Sequence, residues 1–203
     1  MSPSKIKLIL ASQSPRRIEL LRKLGLEFDI IPASVDEITQ AGRSPEDNAL
    51  ALAQLKAQHV ARQHPGTFVL GADTLVVLDD TLLGKPNDRQ DAERMLSRLS
   101  GRTHRVISGV ALIDDRGVPW QQAGVSHVTL KPITAGTIRS YIATGEPMDK
   151  AGAYAIQGKG ADLIESWSGS WTNIVGLPVE TVCQLLQQAA WPHPPSTAHF
   201  DVL

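Results

Sequence analysis

The chain has 203 residues, 42% of them hydrophobic, which is enough for one well-buried core or for two small lobes around a cleft. Its 20 basic and 21 acidic residues leave a net charge of −1, so it offers no electrostatic footprint for a long nucleic-acid groove or an anionic membrane surface. A local cationic pocket for one small anion stays open. The single cysteine, Cys183, rules out an internal disulfide, and its apolar helical neighbours make it read as a buried structural thiol. No window approaches about 18 consecutive apolar residues, so no membrane-spanning helix is expected. The basic residues near Met1 are followed only by the short run Leu8–Ala11, too short for a signal-peptide core, and a cytoplasmic location follows.

In chain order, Ile6 to Ala11 reads as a buried first strand. The turn Ser12-Gln13-Ser14 leads to Pro15 at the first position of a helix, which Gly25 stops. Phe28 to Ile31 reads as a second strand. Ser44-Pro45-Glu46-Asp47 caps the next helix, whose apolar face runs through Ala49, Leu52, Ala53 and Leu55 to Val60. Thr67 to Gly71 and Thr74 to Leu78 are extended, with Asp79-Asp80 turning into Thr81 to Leu83. Asp88 caps a helix closed by Gly101. Two long β-type runs, Thr103 to Ile113 and Val118 to Leu130, flank the turn Asp114–Gly117. Thr134 starts a helix to Ala143, Tyr154 to Ile156 and Ala161 to Glu165 read as short strands, and Pro178 opens a helix ending near Ala190. Trp191 to Leu203 reads as a loosely held tail. The mixture is α/β.

Three clusters carry candidate chemistry. Ser12-Gln13-Ser14-Pro15-Arg16-Arg17 lies past a strand on the first turn of a helix, where free amides and the helix dipole favour an anion. The hydroxyls of Ser12 and Ser14 and the guanidinium groups of Arg16 and Arg17 suit phosphate oxygens, although an ordinary helix start has the same composition. It is not a P-loop, because the Gly-rich loop and its Lys-Ser/Thr ending are missing. Asp73 stands between apolar strand residues and must be paired, hydrated or metal-bound. Magnesium typically takes one or two protein carboxylates, so Glu37 and Asp73 are a natural pair, with Asp36 an alternative to Glu37. Lys85, in Gly84-Lys85-Pro86, and Lys56 add positive charge for a triphosphate, though Lys56 taken alone reads as a surface lysine.

The last motif is Lys150-Ala151-Gly152-Ala153-Tyr154-Ala155-Ile156-Gln157-Gly158. Its small residues admit close backbone approach, and Gln157 carries both donor and acceptor for the edge of a base. A solvated Gln at a strand-loop junction would look the same. The six histidines are scattered, with no metal-binding spacing. Ser168 and Ser170 lack a nucleophile elbow, which argues against a covalent serine mechanism.

In order, Leu10-Ala11-Ser12-x-Ser14-Pro15-Arg16-Arg17, Asp36-Glu37, Lys56, Gly71-Ala72-Asp73-Thr74 and Gly84-Lys85-Pro86 resemble the Maf family of nucleotide pyrophosphatases. Leu99–His104, Lys150–Tyr154, Ile156-Gln157-Gly158 and Val175-Gly176-Leu177-Pro178 extend the resemblance over about residues 6–190. It implies a Maf/Ham1-like fold, an elongated mixed sheet with flanking helices forming two lobes around a cleft, and residues 1–190 are expected as that single domain, with 191–203 outside it. It also implies a homodimer and a divalent cation, Mg²⁺ or Mn²⁺.

By matching motif, Asp73 is implied as general base and metal ligand, Glu37 as second metal ligand, and Arg16, Arg17, Lys56 and Lys85 as phosphate contacts. Arg16, Thr74 and Gln157 fall where the family sets base preference. The Ile-Gln-Gly form resembles the branch acting on dTTP and UTP. Two departures bear on base seating: Ala155 replaces a common Gly, and Gly169-Ser170-Trp171-Thr172 replaces Gly-Ser-Tyr-Ser. The expected function is hydrolysis of a nucleoside triphosphate to monophosphate and pyrophosphate. The alternatives are a non-catalytic nucleotide-binding regulator of cell division and a purine-directed pyrophosphatase of the related Ham1 type.

Overall fold

Leu8–Leu10 form the first strand, β1, buried throughout as a strand covered on both faces must be. β1 pairs in parallel with β2 (Asp29–Ile30) and with β3 (Phe68–Leu78). The structure is a computed structural model describing residues 7–192, 194–197 and 200. Its seven-stranded sheet runs β2-β1-β3-β5-β6-β7, with β4 (Thr81–Leu83) antiparallel on β3. β5 (Thr103–Ile113) and β6 (Pro119–Leu130) are joined by the turn at Asp114–Gly117, and β7 (Ile164–Ser168) lies antiparallel to β6. Parallel and antiparallel pairs coexist, so the sheet is mixed and the α/β class holds.

The helices are α1 (Pro15–Lys23), α2 (Pro45–Ala61), α3 (Arg89–Leu99), α4 (Ala135–Ala143), α5 (Trp171–Val175) and α6 (Val179–Gln188). Three expected caps are in place: Ser44 accepts from the Asp47 amide, Asp88 from Asp91 and Thr134 from Thr137. No helix among the described residues is long and apolar enough to cross a membrane.

The chain divides into two compact units. The first comprises Met1–Asp73, Ser108–Gly124 and Gly176–Leu203. Here Ala49, Ala53 and Ala57, spaced by four along α2, share one fully buried face. A side chain at Gly71 of β3 would collide with the Ala53 carbonyl oxygen, and one at Gly109 of β5 with the Ala49 backbone. Small residues on both partners therefore bring the α2 backbone down onto the sheet. In the turn between β5 and β6, the buried Asp114 carboxylate accepts from the Val118 and Arg116 amides and from the Arg116 guanidinium.

The second unit comprises Thr74–Ile107 and Val125–Val175. Within it α3 packs against α4, and Asp79, which turns β3 into β4 with a left-handed φ of 54°, accepts twice from Arg102. Gly152 fits against Val76 of β3 with φ +70°, where a Cβ would come within 2.9 Å of Val76 Cγ1.

Several expectations need correction. β3 runs unbroken through Asp73, so the acid lies inside a strand rather than between two. Tyr154–Ile156 is not a strand, Gly158–Leu163 is a 3-10 turn, and the strand that follows is Ile164–Ser168. Positive φ angles at Gly152 and Ala153, and amides bonded to a side chain at Lys159 and Gly160, remove the ladder that strands would need. Leu55 is 42% exposed whereas Lys56 is buried, because the alanine stripe turns the 53/56/57/60 side of α2 inward. α5 was not expected; Ser170 caps it by accepting from the Asn173 amide. Cys183 is half-buried rather than enclosed, and burial pushes its thiol up to about 11. Trp191, at the head of the expected tail, meets Phe68 edge-on at 5.0 Å. Ile6, and residues 193, 198–199 and 201–203 of the expected tail, lie outside the described residues.

Candidate active site

Asp73 occupies β3 two residues beyond Gly71, and Lys56 precedes Ala57, the residue that Gly71 lets approach. This puts the ammonium of Lys56 2.6 Å from Asp73 Oδ1 and 2.9 Å from Glu37 Oε1. Lys56 and Asp73 are nearly enclosed, whereas the Glu37 side chain is 51% exposed. Two carboxylates from separate segments thus converge on one positive charge. Sequence reasoning favoured a surface position for Lys56 alone; the packing of α2 overturns that.

Arg17 reinforces the same corner from α1. Its Nη1 donates to the Ala72 carbonyl at 2.9 Å and to Ser12 Oγ at 3.3 Å, and its Nε donates to the Gly176 carbonyl at 2.9 Å. Burial lowers the guanidinium's pKa, against the raising influence of Asp73 and Glu37. Arg17 therefore fastens α1 to the residue preceding Asp73, and these three acceptors are protein atoms. Arg16, on the same first turn, is half-exposed. Ser14 makes no side-chain cap; instead its amide donates to Ser12 Oγ at 3.2 Å, which folds the Ser12–Ser14 turn back on itself. The first-turn amides of α1 have no carbonyl partner within the helix. Asp36, the alternative to Glu37, is exposed, and the ion pairs of Lys56 go to Glu37 and Asp73.

The structure thus links Ser14, Ser12 and Arg17 to Ala72, joins Glu37, Lys56 and Asp73, and leaves Arg16 on the adjoining first turn of α1, all within the first unit. Thr74, Lys85 and Gln157 belong to the second. There the Gly152 amide donates to the Gly84 carbonyl at 3.0 Å, which ties the Lys150–Tyr154 loop to the residue before Lys85. Lys85 and Gln157 are exposed, and Thr74 is half-buried on β3.

No group of three or more His, Cys, Asp or Glu residues suited to a metal occurs among the described residues. A cation here would therefore draw two protein oxygens, from Glu37 and Asp73. That count matches Mg²⁺, which keeps water and substrate phosphates for its remaining positions. Both carboxylates are paired with the Lys56 ammonium, and as hard oxygen donors they are of the type that Mg²⁺ takes.

A family model described as "Maf-like protein" matches residues 7–189. The chain belongs to the Maf-like family. A protein of Geotalea uraniireducens named dTTP/UTP pyrophosphatase is 47% identical over 93% of this chain and 97% of its own length. One of the same name from Symbiobacterium thermophilum is 49% identical over 92% of this chain and 95% of its own. The Ham1 protein of Staphylococcus aureus is a solved structure with 15% identity, covering 78% of this chain and 79% of that one, at a TM-score of 0.48.

In this Maf-like chain two residues that the sequence does not single out, Tyr141 and Glu146, are joined by a hydrogen bond. Glu146 accepts from the Tyr141 hydroxyl at 2.9 Å and from the Lys159 and Gly160 amides at 3.1 and 2.9 Å. The only local signal was an acid in Gly145-Glu146-Pro147, a setting indistinguishable from an ordinary turn. Of the residues at the Ser170-Trp171-Thr172 departure, Trp171 packs on Trp167 with ring centroids 5.1 Å apart.

Proposed function

We propose that this chain is a metal-dependent nucleoside triphosphate pyrophosphatase acting on dTTP and UTP. The observation that carries the reading is the convergence of Asp73 and Glu37 on one cationic position, beside the amino end of α1. The dTTP/UTP pyrophosphatases reported above, near half identical over more than nine-tenths of both chains, support the substrate class.

In this reading Glu37 and Asp73 hold Mg²⁺ or Mn²⁺, which when bound withdraws charge from the triphosphate. Asp73 accepts the proton of a water that attacks the α-phosphorus. One P–O bond forms there while the bond to the bridging oxygen breaks, giving nucleoside monophosphate and pyrophosphate. Arg16 and the first-turn amides of α1 receive phosphate oxygens. Arg17 keeps Ala72, and hence Asp73, in place. Lys56 holds the Asp73 carboxylate at a fixed position, in addition to the phosphate contact that the family pattern assigns it. Ser12 and Ser14 shape the turn before α1. On the family pattern Lys85 adds a phosphate contact, and Thr74 and Gln157 face the base. A homodimer, on the family resemblance, and a cytoplasmic location belong to the same reading. A regulator that only binds nucleotides needs no carboxylate to take a proton from water, the role this reading gives Asp73.

The test is product analysis in ¹⁸O-labelled water with a nucleotide panel, with and without Mg²⁺ or Mn²⁺. The expected result is metal-dependent release of pyrophosphate and of UMP or TMP, with the label in the monophosphate. Label in pyrophosphate would place attack on the β-phosphorus and contradict the mechanism. Preferred turnover of inosine or xanthosine triphosphate would replace the substrate assignment by the purine-directed one. Absence of turnover with every nucleotide would favour the binding regulator.

A further inference from the structure

Gln157 sits at the tip of a short loop whose two ends are gripped by one pair of side chains. On the near side, the Ala155 amide donates to the Tyr141 hydroxyl oxygen at 3.2 Å. That hydroxyl donates in turn to Glu146 Oε1 at 2.9 Å. On the far side, the Lys159 amide donates to Glu146 Oε2 at 3.1 Å and the Gly160 amide to Oε1 at 2.9 Å. The attachments lie two residues before Gln157 and two and three residues after it. All of these groups belong to the second unit.

The loop is closed tightly. A Cβ at Gly160 would collide with the Ala155 carbonyl oxygen and stand 2.6 Å from the Tyr141 hydroxyl. Gly158, with φ +70°, passes so near the carboxylate that a Cβ would stand 2.8 Å from Glu146 Oε2. Glu146 is itself anchored, since its carbonyl accepts from Lys150 Nζ at 2.7 Å. Tyr141 and Glu146 are the two sides of a clamp, and Gln157 is exposed at its mouth.

We propose that Glu146, acting with Tyr141, is a positioning residue that sets nucleobase selectivity by clamping the 155–160 loop around Gln157. The inference rests on the proposed pyrophosphatase reading, in which Gln157 meets the base. An amide that reads a base through donor and acceptor must hold its orientation, because a loose glutamine pairs with many edges equally. The ionised carboxylate supplies that rigidity. Burial works against its charge, but the Lys159 and Gly160 amides, the Tyr141 hydroxyl and Lys150 together hold it below the ordinary range.

Two measurements on the full chain test this. The first needs no nucleotide: in E146A, NMR-detected hydrogen exchange at the Lys159 and Gly160 amides rises by about tenfold or more, as loss of charge-assisted bonds requires. Unchanged exchange would overturn the clamp. The second compares kcat/KM for UTP with kcat/KM for GTP. In E146A this ratio falls by about tenfold, mainly through KM for UTP, and Y141F falls less in the same direction. E146Q, which keeps an acceptor for Gly160 and Tyr141, recovers part of the ratio and serves if E146A folds poorly. In a Q157A background, E146A lowers the ratio by less than about twofold, because the two act through one contact. Equal losses in both backgrounds, or an unchanged ratio in E146A, would overturn this inference alone. A wild-type chain that leaves UTP intact would instead overturn the reading beneath it.

Discussion

The ammonium of Lys56 and the carboxylate of Asp73 meet at 2.6 Å with side-chain exposures of 8% and 7%, one from a helix and the other from the strand beneath it. Neither charge would tolerate that enclosure alone. Their meeting depends on Gly71, which removes the side chain that would otherwise hold α2 away from β3. A backbone feature of the fold thus creates an electrostatic feature of the site.

Replacing Lys56 by Met leaves the enclosed Asp73 without its ion-pair partner. Urea unfolding at pH 7 should show K56M less stable than wild type by about 3 kcal/mol, the scale for breaking a buried pair. The double variant K56M/D73N, which removes both charges, should recover at least half of that loss. If K56M lies within about 1 kcal/mol of wild type, the pair does not have the role assigned to it.

A methyl group at Gly71 must displace the α2 backbone. G71A should cost about 2–3 kcal/mol by overpacking, and turnover should fall with it because Lys56 and Asp73 are pushed apart. Gly136, inside α4 with no positive φ and nothing nearer to a Cβ than the Thr134 hydroxyl at 3.7 Å, is the contrast. There G136A should stabilise by about 0.5–1 kcal/mol through helix propensity. Equal effects at the two sites would dismiss the close approach of α2 as the cause.

Much of this was legible in the residues, and the gaps have physical causes. Caps at Ser44, Asp88 and Thr134 announce themselves because each puts a side-chain acceptor three residues before an open amide. β4 and β5 matched expectation to the residue, since turn residues bound them clearly. Leu55 and Lys56 were misjudged because hydropathy does not show which side of a helix faces glycines in distant strands; Ala49, Ala53 and Ala57 were the signal. The 154–165 region was misread as strands because Glu146, eight residues before Tyr154, takes amides that local sequence assigns to a ladder. Nothing in the sequence signals that Arg17 also donates to three protein oxygens, because all but Ser12 of its acceptors are backbone carbonyls brought near by the fold.

His104 makes stability depend on pH. Its ring is buried, with Nε2 2.6 Å from the Tyr154 hydroxyl, and burial lowers its pKa to about 4. The unfolded chain, with a histidine pKa near 6.5, binds the proton more readily, so stability falls as pH drops from about 6.5 toward 4. Above about pH 7.5 the group contributes no slope. Wild type should lose about 2 kcal/mol more than H104Q between pH 7.5 and 4.5, by urea unfolding at both values. Parallel losses in the two proteins would show that His104 does not bear the titration.

The most direct test of the central claim is steady-state UTP hydrolysis by wild type and D73N, with Mg²⁺ and with chelator, on samples shown by circular dichroism to be equally folded. The Asn retains shape and leaves Lys56 paired with Glu37, so folding should persist. The account predicts metal-dependent turnover by wild type and a loss in D73N of about 10²–10⁴-fold in kcat, the range for removal of a general base. Turnover by D73N within a few-fold of wild type would contradict it, and the carboxylate enclosed beside Lys56 would then be an element of the fold alone.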